Sequence, residues 1–124
     1  MQDFKKLLVW QKSFDLIIDT YKTTSSYPSE EKYGLTGQTR RAVVSVSNNI
    51  AEGCGRFSQN DLAHFLQMSL GSTNEVENCF LIGQALNYLT EGQFSELSKQ
   101  NIEVRKMLIS LIDRIRREKS NVIV

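Results

Sequence analysis

The sequence predicts an all-α protein, an antiparallel up-down-up-down four-helix bundle. Three observations predict it. Apolar residues recur at steps of three and four in four separate stretches. No stretch keeps the strict alternation of a half-buried strand. One proline, Pro28, stands among 124 residues, which leaves room for long uninterrupted helices. Helices are expected at about residues 4–25, 37–54, 59–89 and 91–119, and their short connections favour antiparallel neighbours. A chain of this length makes one domain, 1–124, whose folding buries roughly two-thirds of the chain's surface.

The first helix rests on Leu7, Trp10, Phe14, Ile17, Ile18 and Tyr21, which fall on one face, with Lys6, Lys12, Asp15, Asp19 and Lys22 mostly opposite. Thr23 to Ser26 weaken it, and Tyr27, just before Pro28, is pushed towards extended backbone. Residues 29–35 read either as a first turn of the second helix or as a separate short piece. Thr36 is the expected cap of that helix, whose stripe is Thr39, Ala42, Val43, Val46 and Ile50. Gly53 and Gly55 are expected to end it through positive φ.

The third helix carries the clearest start signal. Ser58 can accept from the Asp61 amide, and Phe57 and Leu62 stand at the two staple positions. Its seam runs through Leu62, Phe65, Leu66, Ser69, Ser72, Thr73, Val76, Phe80, Gly83 and Asn87. Met68, Leu70, Cys79, Leu81, Ile82, Leu86 and Tyr88 lie off that seam. A helix apolar on more than one side has more than one neighbour, so this surplus suggests a subunit interface, with a wide internal core as the alternative. Thr90 and Gln93 form a capping box before the fourth helix, and Leu89 and Phe94 its staple. Phe94, Leu97, Asn101, Val104, Leu108, Leu111 and Ile115 give a near-heptad stripe. Arg114, Arg116, Arg117 and Lys119 crowd its last turn, where cations suit the helix dipole. The apolar tail 121–124 is too short to form an element.

Composition narrows the function. The net charge is +1, from 15 basic and 14 acidic residues, whereas dedicated nucleic-acid-binding domains are usually far more basic. The N-terminus lacks a signal-peptide h-region, and no run is long enough to span a bilayer. A cytoplasmic protein with no membrane partner is expected, and Cys54 and Cys79 as reduced, largely buried thiols.

The chemistry of common active sites is missing. A di-iron bundle needs two Glu-x-x-His motifs, and the chain has one histidine, His64, in a single imperfect copy, Asp61-Leu62-Ala63-His64. Cys54, at a helix C-terminus, is a poor thiolate, and Cys79 lies inside a helix. Gly53-Cys54-Gly55 lacks the Lys-Ser/Thr of a phosphate loop. No metal, cofactor or small-molecule substrate is expected, nor catalysis. What remains is binding. Arg40, Arg41 and Arg56 flank the central stretch Thr39 to Arg56 and read either as a phosphate-binding edge or as solvated, ion-paired positions beside Glu52, Glu75 and Glu77. Among the aromatics, Tyr27 and Tyr33 can stack on bases, while Trp10 falls on the stripe expected to face the core.

Several short motifs are distinctive together: Leu8-Val9-Trp10-Gln11-Lys12, Tyr33-Gly34-Leu35-Thr36 before Gln38 and Arg40-Arg41-Ala42, and Asn49-Ile50-Ala51-Glu52-Gly53 with Gly55-Arg56. Phe65-Leu66 and Gly71-Ser72 with Glu75 complete the set. On these motifs the chain resembles, over nearly its whole length, the four-helix-bundle proteins encoded in 23S rRNA intervening sequences of bacteria. Their relatives include the accessory variability determinants of diversity-generating retroelements. The resemblance implies an antiparallel four-helix bundle and a homopentamer. The retroelement branch binds nucleic acid through a strongly basic surface, from which a net charge of +1 departs. The sequence therefore leads to a non-enzymatic, oligomeric scaffold or interaction module. The alternative is an RNA- or DNA-binding accessory protein acting, weakly at most, through Arg40, Arg41 and Arg56.

Overall fold

The computed structural model describes residues 2–120, and four α-helices account for most of them: α1 (Leu8–Thr24), α2 (Leu35–Cys54), α3 (Gln59–Ala85) and α4 (Glu91–Ser120). Short 3-10 turns at Phe4–Lys6 and Ser29–Glu31 precede α1 and α2. Each helix packs on two neighbours: α1 on α2, α2 on α3, α3 on α4, and α4 back on α1. Contacts that climb one helix descend the next. Ser69 Oγ donates to the Val46 carbonyl at 2.7 Å, while the hydroxyls of Ser72 and Ser45, farther along α3 and earlier on α2, share a bond of 3.0 Å. Lys12 meets Glu103, and Asp19 accepts from Gln100. The pairs are therefore antiparallel, and the result is the four-helix bundle the sequence predicts. The tail 121–124 lies outside the described residues.

The core is a layered stack of aliphatic residues in which Leu16, Val46, Ile50, Leu66, Phe80 and Leu108 are buried completely or nearly so. Small polar residues are interleaved with them: Ser13, Thr20, Thr24, Thr39, Ser69 and Thr73 are also inaccessible. Most bond to a carbonyl one helical turn back or across the helix pair. Thr24 Oγ1 reaches Thr20 O at 2.7 Å, and Thr39 Oγ1 reaches Leu35 O at 2.7 Å. A hydroxyl satisfied in this way can be buried at little cost. It also lets helices approach more closely than leucines would.

Several boundaries and faces depart from expectation, each for a local reason. Helix α2 begins at Leu35 rather than at residue 37, because Glu31 Oε1 caps the Leu35 amide at 3.1 Å and Thr36 does not act as the cap. Residues 29–31 form a separate turn. Gly53 and Gly55 do not adopt positive φ. Gly53 lies inside α2, and a Cβ there would stand 3.0 Å from Phe65 Cβ and 3.1 Å from Leu62 Cδ1. Its role is therefore close helix packing. Helix α3 ends at Ala85 instead of residue 89, because Asn87 turns left-handed (φ 61°) and the amides of Tyr88 and Leu89 fold back onto the Gly83 carbonyl at 2.9 and 3.3 Å. Ser58 caps α3 as expected, accepting from Asp61 N at 3.0 Å, but the staple beneath it does not form: Leu62 is buried and Phe57 is 88% exposed. The box before α4 is reciprocal, with Thr90 N to Gln93 Oε1 at 3.0 Å and Gln93 N to Thr90 Oγ1 at 3.1 Å.

The largest correction concerns α1. The face it turns to the core is Val9, Ser13, Leu16, Thr20 and Thr24. The bulky stripe expected to be the core lies instead on the flank and outside. Leu7, Trp10 and Ile17 are half-buried, and Phe14, Ile18 and Tyr21 are exposed.

Candidate functional site

Two neighbouring features emerge on the α1–α2 side of the bundle. One is apolar. Phe4, Trp10 and Phe14 form a ladder of rings with successive centroids 5.2 Å apart, and Ile17, Ile18 and Tyr21 continue it along α1. Phe14 is 44% exposed and Ile18 41%. Lone exposed apolar residues are ordinary, but a ladder running the length of one helix marks a surface that association can cover.

The other feature is basic. Arg40 and Arg41 are adjacent in sequence but about 100° apart around the helix, so they do different things. Arg40 reaches back to α1. Its Nε donates to Thr24 Oγ1 at 3.0 Å, its Nη2 to the Tyr21 carbonyl at 3.1 Å, and its guanidinium lies 4.5 Å from the Tyr21 ring centroid. It clamps the C-terminal end of α1 to α2. Arg41 is exposed and makes no hydrogen bond or ion pair among the described residues. Both line a recess of about 620 Å³ together with Tyr21, Lys32, Tyr33 and Thr36, and no carboxylate lines it. Lys32, which the sequence reading did not single out, enters because the turn before α2 swings it beside Tyr33, with Nζ 5.4 Å from the ring centroid.

Arg56 lies farther along the same face. It pairs with Glu52 at 2.6 Å and stacks 4.7 Å above the Phe65 ring. With Glu52, Asn48 and Asn49 it borders a second, polar recess of about 820 Å³. Asn48 touches both recesses, so the three arginines share one side of the molecule but not one site. The aromatics proposed for stacking also divide. Tyr33 is 87% exposed, whereas Tyr27 is buried against Tyr88, ring centroids 5.3 Å apart. Burial pushes the Tyr27 phenol up to about 12.

Cys54 and Cys79 are free and buried, and burial pushes both thiols up, away from the reactive thiolate. His64 is exposed, and its ring meets Phe65 edge-on at 5.7 Å. Among the described residues, no group of three or more His, Cys, Asp or Glu gathers where a metal ion could be held, and no helix is long and apolar enough to cross a membrane.

The profile of the family described as 23S rRNA-intervening sequence protein matches residues 5–110. The chain belongs to that family. The 23S rRNA-intervening sequence match begins just after Phe4 and ends in the second half of α4, so it takes in the recess and all of the ring ladder but Phe4. Among solved structures, the chain is similar to a protein of unknown function from the S23 ribosomal protein family of Bacteroides thetaiotaomicron. The two share 26% identity with a TM-score of 0.75, over 85% of this chain and 98% of that one. No curated protein matches the chain.

Proposed function

We propose that this member of the 23S rRNA-intervening sequence family is a non-enzymatic, oligomeric interaction module of the cytoplasm. The observation that carries the reading is the ring ladder of α1. A helix that turns Ser13, Thr20 and Thr24 inward and Phe14, Ile18 and Tyr21 outward has its bulky apolar residues placed for a second protein surface. Ile102 and Ile109 form a smaller exposed strip on α4. Unlike exposed patches on one chain, with Met68, Leu81 and Ile82 on α3 and Leu86 at its end a further set, favour head-to-tail contacts that close into a ring, and the resemblance to the family supports five copies. Light scattering tests this. An assembly of several copies at micromolar concentration is the expected result, and a strict monomer overturns the reading.

A specific observation also favours the second reading, an accessory protein that binds RNA or DNA through a basic edge. Lys32, Arg40 and Arg41 converge on one recess from which carboxylates are excluded, although the chain as a whole is nearly neutral. Few phosphates would be contacted, so binding would be weak and would fall with salt by a slope of only about one per phosphate contacted.

A further inference from the structure

We infer that the recess at the start of α2 is a binding site for a nucleoside phosphate. Arg41, Lys32 and the first-turn amides of α2 would hold the phosphate, and Tyr33 the base. The inference rests on the second reading above and sharpens it, because it names the ligand and the atoms.

The phosphate end follows from the helix start. The first amides of a helix have no acceptor within it and carry the positive end of its dipole. In α2 the Leu35 amide is taken by Glu31 and that of Gln38 by the Gly34 carbonyl, which leaves those of Thr36 and Gly37. Glu31 itself is engaged on both oxygens, the second accepting from the Tyr88 hydroxyl at 3.0 Å. Three cations stand around this turn, and Arg41 has every donor uncommitted.

A second, independent observation points into the same place. Thr36 lines the recess, the residue is 8% exposed, and its hydroxyl is buried with no partner among the protein's own atoms. A buried hydroxyl without a partner is costly, and a turn about χ1 towards the recess would let a ligand oxygen satisfy it. Gly37 lets the Arg41 guanidinium and the Lys32 carbonyl close over the helix start, since a Cβ there would lie 3.2 Å from Arg41 Nη1 and 2.8 Å from the Lys32 carbonyl. The base end follows from Tyr33, an almost fully exposed ring at the mouth of a cationic recess. Bases of any identity stack on such a ring.

The ligand chemistry has two sources, a free nucleotide or the terminal nucleotide of a single strand. The test is an amide-resolved NMR titration of the full chain with inorganic phosphate, adenosine monophosphate, and a short single-stranded RNA with and without a 5′ phosphate. Adenosine monophosphate is expected to shift the amides of Thr36, Gly37 and Arg41 saturably. Arg41→Ala should weaken it about tenfold or more. Tyr33→Ala should weaken it by roughly fivefold to a hundredfold while leaving inorganic phosphate unaffected. Both residues are exposed, so both variants should keep the fold, checked by circular dichroism.

Tighter binding of the 5′-phosphorylated strand than of the monophosphate assigns the site to a strand end. Equal or weaker binding assigns it to a free nucleotide. No saturable shift at these amides with adenosine monophosphate, or shifts indifferent to Arg41→Ala, overturns the inference. RNA binding that leaves these amides unmoved overturns it while sparing the second reading. Monophosphate binding without RNA binding upholds it and removes that reading.

Discussion

Changing Phe14 and Ile18 together to glutamate is expected to reduce the protein to monomers without unfolding it. Both side chains are more than two-fifths exposed in the single chain, on the outer face of α1. Covering what remains of each contributes about 1–2 kcal/mol at roughly 25 cal/mol per Å². A glutamate in the same place must be desolvated, at a cost of several kcal/mol if it finds no cation. Two such changes at every contact amount to at least about 4 kcal/mol, or roughly a thousandfold in the dissociation constant. The inward face, Val9, Leu16 and Thr20 among it, is untouched, so helical content and the unfolding midpoint of the monomer should hold. Phe14→Leu, which keeps the surface apolar, should leave the assembly in place. Light scattering of all three proteins decides the matter. An assembly that survives the double glutamate change places the interface elsewhere.

The second large effect lies just past the C-terminal end of α1, where Tyr27 meets Gly83 of α3. Gly83→Ala is expected to destabilise the fold by about 1–3 kcal/mol, the usual cost of forcing an extra carbon into a packed site. The added Cβ would stand 2.5 Å from Tyr27 Oη and 3.3 Å from Leu89 Cδ1. The hydroxyl is the obstacle, and it has no hydrogen-bond partner among the protein's own atoms. Tyr27→Phe alone should therefore be neutral or stabilising by up to about 1 kcal/mol, since no bond is lost and a desolvated polar group is removed. Combining the two changes should recover most of the loss, with a coupling well above the roughly 0.5 kcal/mol expected of unrelated sites. Urea unfolding of the four proteins completes the cycle. Additive losses would mean that Leu89 or the helix backbone, rather than the phenol, sets the limit.

The bundle itself was legible in the sequence because periodicity, capping boxes and the scarcity of proline act locally. The α4 stripe and the α3 seam came through with few changes: Phe65, Phe94 and Leu111 are half-buried, and Asn87 ends the helix. Helix α1 was misread because a hydrophobic stripe shows that a face will be covered, not by what. The residues that face the core, Ser13, Thr20 and Thr24, satisfy their hydroxyls within the helix or close-pack, and no hydropathy pattern marks them. Gly53 was read as a turn residue because the bare Cα that permits positive φ also permits helix contact, and only the partner at Leu62 and Phe65 tells the two apart. The arginines were read together from the sequence, as one edge around the stretch Thr39 to Arg56. Their division into a clamp, an uncommitted cation and an ion pair depends on helix phase and on Tyr21, Lys32 and Glu52 arriving from different turns.

The four joints of the bundle are unequal. The α2–α3 contact is the most extensive, tightened by Gly53 and by the Ser45–Ser72 and Ser69–Val46 bonds, and the α1–α4 contact is the smallest. Helix α1 inserts only two aliphatic side chains, Val9 and Leu16, fully into the core. Local opening should follow that gradient. In hydrogen exchange, the amides of α1 should lose their protons first and those of mid α2 and α3 last. The α2–α3 hairpin then persists as a unit while the N-terminal helix detaches and rejoins, and any partner that covers the outside of α1 slows that exchange from a distance.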